Sequence, residues 1–276
     1  MKKSVFDIVD LQTLAPFFKT FIGKPLGNLL LKWLKVDKVN KVHENSCHFT
    51  GAKFTSSLLK DPLIDIAYNV HNKELLADLP EGAFITVSNH PIGSLDGIVL
   101  IDLFAAIRPD FKVMVNGILE NVGAMDENFI SVKPDSNKRG ANPQNVNGVR
   151  ASLEHLKKGF PMGFFPAGAI SFYNKEKKGV FDIPWTHSVI RLIKKSNLPV
   201  YPVLFDSYNS KFFYWLGGIS WKIRTLRIPA EVFNKKGKTL DVYIGKPIPP
   251  EKIKSFSDDV LLADYLYQCT YGAKKA

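Results

Sequence analysis

The sequence predicts an α/β fold: a sheet covered by helices, preceded by amphipathic helices. Three observations carry this. From about residue 57 onward, short β-branched and apolar runs alternate with segments of helical period. Hydrophobic residues make up 45 % of the chain, enough for a substantial core and too many for a disordered one. The residues before that point follow a different pattern, in which bulky apolar side chains are interrupted by lysines. The division drawn from this is a helical, membrane-associating segment at 1–56 and an α/β domain at 57–276.

In chain order, TLAPFFKTFIGKPLGNLLLKWLKV (13–36) opens the reading, with Pro25 placed between two short helices. Phe17, Phe18, Phe21 and Trp33 supply bulk, and Lys19, Lys24, Lys32 and Lys35 break it up. Two fates fit such helices. They can lie in the headgroup boundary of an anionic bilayer, or pack on the domain with their lysines solvated. SLLKDPLIDIAYNVH (57–71) reads as a helix with Pro62 in its first turn. FITVS (84–88) is a buried strand, LDGIVLIDLFAAI the helix after it, FKVMVN and FISVK the next strands. PQNVNGVRASLEHLKKG reads as a helix with Val146, Val149, Leu153 and Leu156 on one face, ended at Gly159. PMGFFP is a strand, SVIRLIKKSN a helix, and LPVYPVLF and TLDVYIG are strands. DVLLADYLYQC, from about residue 258, closes the chain as a helix. The polar stretch at 134–148 sits between a strand and a helix, a common place for a loop that meets substrate.

The formal net charge of +11 favours an anionic partner: nucleic acid, an anionic membrane surface or an acidic carrier. Cys47 and Cys269 lie far apart with no CxxC spacing, which suits a reducing compartment and excludes a disulfide framework. No cluster of Cys and His suggests a structural zinc site. Asp7 and Asp10 fall where the apolar core of a secretory signal would run, and no apolar run reaches spanning length. The expectation is a chain that does not cross a membrane.

SNHPIGSLDG (88–97) puts a histidine just after a strand and an aspartate at the start of the next helix. Pro91 and Gly93 break the chain between them, so the carboxylate of Asp96 can turn back onto the imidazole of His90. The helix N-terminus keeps that carboxylate ionised. This is the base-and-orienter half of a catalytic triad, and an imidazole with pKa near about 6.5 takes a proton readily at neutral pH. The same two residues also fit an ordinary strand end and an acidic first turn. From these residues alone both readings stand.

SNHPIGSLDG resembles the NHx4D block of the phospholipid and glycerol acyltransferase family, with five residues between His90 and Asp96 instead of four. The longer spacing resembles the putative hemolysin-like branch, which includes bacterial ornithine- and glycine-lipid O-acyltransferases. Four further blocks follow in order. FFPAGAIS (164–171) stands where the family has FPEGTRS, FDIPW (181–185) resembles a D-x-P-W block, NSKFFY (209–214) an N-S-x-x-F-Y element, and IGKPI (244–248) the closing G-x-P-I. Any one is weak; five in order, from about residue 75 to 250, are strong.

The resemblance implies a mixed sheet of the glycerolipid acyltransferase kind. It also implies an O-acyltransferase moving a fatty acyl group from acyl-ACP or acyl-CoA to a hydroxyl of a lyso-lipid, as a peripheral enzyme on the cytoplasmic face of the inner membrane. The thioester is a cosubstrate; no cofactor, metal or nucleic acid is called for. His90 and Asp96 carry over as the catalytic pair. Asn89, Gly93, Ser94, Phe165, Pro166, Ala167, Gly168, Ser171 and Asn209 carry over as candidate substrate contacts, with Lys133 standing in for the family's arginine-bearing block. Lys138 and Arg139 are further stand-ins or ordinary solvated residues. Backbone N–H groups around Gly168 are the candidate oxyanion donors. Ala167, Ala169 and Ile170 replace polar residues that the family associates with a phosphate. This points to an aminolipid acceptor, such as lyso-ornithine or lyso-glycine lipid, ahead of lysophosphatidate or another lysophospholipid. Asn89 and Asn209 also suit turn-holding roles, and Asp182 and Trp185 suit core or pocket wall. His43, His48, His71, His155 and His187 match no block, and a thiol route through Cys47 is weak. From another class, a non-enzymatic basic protein that binds membranes or nucleic acid would use the charge alone, but no nucleic-acid motif is present.

Overall fold

The computed structural model describes residues 5–116, 123–132 and 143–275. Lys133, Lys138 and Arg139 lie outside them.

Asp7 caps α1 (Ile8–Leu14) by accepting from the amides of Val9 and Asp10. A 3-10 turn (Pro16–Lys19) leads to α2 (Gly23–Trp33), then α3 (Val36–Ser46) and α4 (Gly51–Lys60). Pro25 does not separate two helices. It sits in the first turn of α2, where its missing N–H costs nothing, and the break falls at Thr20, whose Oγ1 accepts from Gly23 N at 3.0 Å. The division expected at residue 56 lies inside α4, where Phe54 and Leu59 are buried in the core.

The helix expected at 57–71 is two elements. Asp61 precedes Pro62 and is held extended, as a residue before proline prefers, so α4 ends there. Asp61 Oδ1 then accepts from Leu63 N, and β1 (Ala67–His71) follows. The chain alternates into β1: Ile64 and Ile66 are buried, Tyr68 and Val70 are packed on the core, and Asp65, Ala67 and Asn69 lie between them. That period of two, more than the apolar content, is what selects a strand.

Next come β2 (Ile85–Ser88), α5 (Ser94–Ile107), β3 (Lys112–Asn116), β4 (Phe129–Val132), α6 (Pro143–Lys157) and β5 (Met162–Phe164). An antiparallel hairpin, β6 (Phe172–Asn174) and β7 (Gly179–Phe181), was absent from the sequence reading. It is followed by α7 (His187–Ser196), β8 (Val200–Asp206) and three short helices, α8 (Lys211–Ile219), α9 (Trp221–Leu226) and α10 (Ile228–Phe233). The chain ends with β9 (Thr239–Ile244), α11 (Pro250–Lys254) and α12 (Asp259–Gly272).

Among the described residues the main sheet has seven strands in the order β1-β9-β8-β2-β5-β3-β4. It is mixed: β8, β2, β5, β3 and β4 are parallel, and β9 joins β8 antiparallel with β1 parallel to β9. Helices cover both faces, each over its own core. On one face Phe84, Phe104 and Phe111 pack with Phe54 of α4 and Leu95, Val99 and Leu100 of α5. On the other, Ile85 and Val87 meet Ile190 and Ile193 of α7 and Leu262 and Leu266 of α12. Strand β2 is buried along its whole length, its polar Thr86 and Ser88 included. Each fully buried Phe, Ile or Leu contributes about 1.5–3 kcal/mol of hydrophobic stabilisation. Asp102, on the otherwise apolar α5, is satisfied by Thr55 Oγ1 at 3.0 Å and Tyr68 OH at 2.7 Å, which ties α4 and β1 to that helix.

This topology makes the site. Because β8, β2 and β5 are adjacent and parallel, their carboxyl ends meet at one edge of the sheet, the usual place for a ligand in an open α/β fold. The loop holding His90 leaves β2, FFPAGAIS leaves β5, and Asn209 follows β8.

Candidate active site

His90 begins where β2 stops. Three residues later Gly93 takes φ +99°, a conformation that favours glycine, and α5 starts. A side chain on Gly93 would also meet Ile170 at 2.8 Å and Ile228 at 3.2 Å. The turn brings Asp96, in the first turn of α5, back under the loop. Its Oδ2 accepts from the amides of Ile92 and Gly93, both at 2.9 Å, and lies 3.0 Å from His90 Nδ1. The Asp96 side chain is 0 % exposed and that of His90 is 20 % exposed. A second histidine–aspartate pair, His71 and Asp241 at 2.7 Å, spans the edge strand β1 and its neighbour β9 with both side chains about 40 % exposed. Of the two, the pair at His90 is closed off from water on the carboxylate side and open on the imidazole side.

The His90 main chain is held at both ends. Ser171 N donates to His90 O at 2.8 Å, and His90 N donates to Asp182 Oδ1 at 3.2 Å. Ser171 Oγ donates to the same Asp182 oxygen at 2.5 Å, and Trp185 Nε1 donates to Oδ2 at 3.1 Å. Burial raises the Asp182 pKa, and the donors Ser171, Trp185 and His90 N pull against it. Asp182 is therefore neither plain core nor pocket wall. It is the post on which the loop is hung. Phe165 lies against the imidazole, ring centroids 4.3 Å apart, and restricts its swing.

Asn89 clamps β2 to β8: its Nδ2 donates to Phe205 O at 3.0 Å and its Oδ1 accepts from Phe205 N at 2.8 Å. With both ends of the amide bonded and 3 % of the residue exposed, it holds the turn. Asn209 acts similarly from the β8 side, donating to Ile92 O at 3.0 Å and Pro91 O at 3.4 Å. Its Oδ1 accepts from the buried ammonium of Lys235 at 2.8 Å. Burial pushes the Lys235 pKa down to about 8, against the pull of Glu231 and Asp96. Glu231, also buried, accepts from Ser210 N and Oγ, each at 2.8 Å. The sequence reading missed Lys235 and Glu231. They lie near the loop only because α10 folds back over it, which no local pattern reports.

Some expected contacts are placed differently. Ala167 is 1 % exposed and belongs to the core cluster that includes Trp185. Gly168, at φ +65°, donates its N–H to Phe165 O at 2.9 Å to close a turn. That N–H is therefore engaged within the turn. Pro166 O accepts from both Thr186 N and Thr186 Oγ1, which pins the turn to α7. Ser94 opens α5 half-buried beside Gly93. Cys47 closes α3, with its thiol donating to Glu44 O at 3.5 Å. Among the described residues no group of three or more His, Cys, Asp or Glu is placed to hold a metal ion.

A sheet that delivers a histidine at the end of a central parallel strand, against a buried aspartate in the first turn of the next helix, suits proton transfer to or from a hydroxyl. The chain belongs to an acyltransferase family: the family model described as Acyltransferase matches residues 26–274. It is an enzyme that transfers acyl groups. It is 28 % identical over 269 residues to the lyso-glycine lipid O-acyltransferase of Bacteroides thetaiotaomicron, covering 95 % of this chain and 94 % of that one. It is 26 % identical over 268 residues to the lyso-glycine lipid O-acyltransferase of Phocaeicola vulgatus, covering 90 % and 91 %. In fold it resembles the crystal structure of the 1-acyl-sn-glycerophosphate acyltransferase PlsC from Thermotoga maritima. The TM-score is 0.50 at 15 % identity, with 97 % of this chain and 93 % of that one covered.

Proposed function

We propose that this enzyme moves a fatty acyl group from an acyl-ACP or acyl-CoA thioester to the hydroxyl of a lyso-aminolipid, an N-acylated glycine or ornithine, in membrane lipid biosynthesis. The observation that carries the reading is the similarity, over nearly the full length of both chains, to two lyso-glycine lipid O-acyltransferases. The histidine–aspartate geometry supplies the chemistry. With Asp96 beside Nδ1, the proton of the neutral imidazole belongs on that nitrogen, and Nε2 is the base. Nε2 takes the hydroxyl proton as the oxygen attacks the thioester carbonyl; the C–O bond forms, the C–S bond breaks, and the proton passes from the imidazolium to the leaving thiolate. Asp96, held by two amides, stabilises the imidazolium without moving. Purified enzyme is expected to acylate a lyso-aminolipid faster than lysophosphatidate at equal concentration. A preference for lysophosphatidate overturns the acceptor assignment.

The acceptor carries a long acyl chain, so the enzyme has to meet a bilayer. Among the described residues no helix is long and apolar enough to cross one. Exposed side chains favour docking instead. Phe21 is 96 % exposed, and Ile22, Leu26 and Leu29 of the α2 region also face outward. Trp215, Ile219 and Trp221 of α8 and α9 form a second exposed apolar set. The Arg227 guanidinium lies 4.8 Å from the Trp33 ring and 5.9 Å from the Phe212 ring, which joins the two sets into one face. Lys19, Lys24 and Lys32 are exposed in the same N-terminal stretch, the mixture an anionic interface takes. We place the enzyme as a peripheral protein on the cytoplasmic leaflet. Each such lysine contributes roughly 1 kcal/mol at an anionic surface. Replacing Lys19, Lys24 and Lys32 by Gln should weaken co-sedimentation with anionic vesicles by on the order of a hundredfold at an unchanged melting temperature. Unchanged binding would assign the helices to packing alone.

A further inference from the structure

Arg224, on α9, is a half-buried cation with no carboxylate opposite it among the described residues. Its guanidinium donates only to two main-chain oxygens, Ser171 O at 3.4 Å and Ile170 O at 3.3 Å, both long. Its buried Nε has no acceptor among the described residues, and the Phe213 ring lies 5.5 Å from the guanidinium carbon. A cation withdrawn from water without a partner is costly, and an anionic ligand is the usual compensation. Burial lowers its pKa, with only Tyr214 pulling the other way.

Its position is specific. Ile170 and Ser171 end the FFPAGAIS block, in which Ala167, Ala169 and Ile170 carry no charge. Ser171 N donates to His90 O, so one residue links the guanidinium to the histidine loop. Ile170 also packs over Gly93, between His90 and Asp96. The missing charge of the β5 loop is thus supplied by a helix some fifty residues later, placed on the main chain of that same loop.

The chemistry of the acceptor completes the inference, which rests on the lyso-aminolipid reading above. Glycine has no hydroxyl, so the hydroxyl that receives the acyl group must sit on the chain attached to its nitrogen. The headgroup then keeps a free carboxylate. We propose that Arg224 binds this carboxylate and fixes the hydroxyl over His90, making it a specificity-determining residue for an acidic amino-acid headgroup. A guanidinium fork matches the two carboxylate oxygens better than an ammonium does.

The test uses purified full-length enzyme, a hydroxyacyl-glycine and its methyl ester, which has the same chain and hydroxyl without the negative charge. Hydrogen bonds to a charged group contribute roughly 1.5–3 kcal/mol. Wild type should therefore favour the acid over the ester by about ten- to a hundredfold in kcat/KM, chiefly through KM. Arg224→Gln should abolish that preference by losing activity on the acid while keeping it on the ester, and Arg224→Lys should restore part of it. Equal loss on both acceptors would make Arg224 a brace for the loop and overturn the proposal, as would an unchanged preference. Wild type that acylates neither glycine compound but does acylate lysophosphatidate would overturn the acceptor reading itself, and the carboxylate assignment with it.

Discussion

His90→Ala is expected to lower turnover by on the order of a hundredfold or more while the protein melts where the wild type does. The separation follows from how the residue is held. Ser171 and Asp182 grip its main chain, and alanine keeps both of those hydrogen bonds. What is lost is a partly exposed ring resting on Phe165, a small packing contribution, together with the base itself. Asp96→Asn should be damaging for a different reason. A single oxygen, Oδ2, accepts from Ile92 and Gly93 and also faces Nδ1, so an amide oxygen in its place can keep all three contacts, but the negative charge that stabilises the imidazolium is gone. The base is present and its protonated form is unsupported. Steady-state acyl transfer measured beside a melting curve checks both. A folded His90→Ala enzyme with near wild-type transfer would remove the imidazole from the chemistry.

Asp182→Ala should produce the largest loss of stability of any change around the site. The carboxylate serves three donors, His90 N, Ser171 Oγ and Trp185 Nε1, at a residue 6 % exposed. An unsatisfied buried donor costs roughly 1–3 kcal/mol, so the loss should be about 3–5 kcal/mol after partial relaxation. For a chain of this length each kcal/mol lowers Tm by about 2–4 °C, which places the transition about 6–20 °C lower. Activity at a temperature where the variant is still folded should fall as well, because the loop that aims His90 has lost its post. Calorimetry and transfer at low temperature together check this. A variant that melts with the wild type and transfers at its rate would mean the loop is held by something else.

Much of this architecture is legible in the sequence, for identifiable physical reasons. Strand β2 is a short β-rich run and α5 a largely apolar helix with a turn between them, so His90 and Asp96 read as a pair before any contact is known. Strand β1 is harder. The SLLK that precedes it closes α4, and the alternation beginning at Ile64 is short enough to be absorbed into a helical reading. Its pairing with β9, more than 160 residues later, is what makes it a strand, and no local pattern carries that partner. The same limit applies within the site. Asp182 stands in a recognisable block, yet its role depends on His90 and Ser171 arriving from two other strands. Arg224 and Glu231 come from the short helices α9 and α10 and Lys235 from the turn after α10, and only the tertiary fold brings them to the β5 loop, Ser210 and Asn209. Ala167 is the opposite case: a residue inside a telling block whose side chain the local turn sends into the core.

The most direct measurement of the central claim is mass spectrometry of the lipids of a host that supplies lyso-aminolipids, expressing either the wild type or His90→Ala at equal protein levels. The account predicts that an O-acylated aminolipid accumulates with the wild type, and that its lyso precursor persists with the variant. An aminolipid profile identical in the two, with the difference appearing instead in phosphatidate, would contradict it.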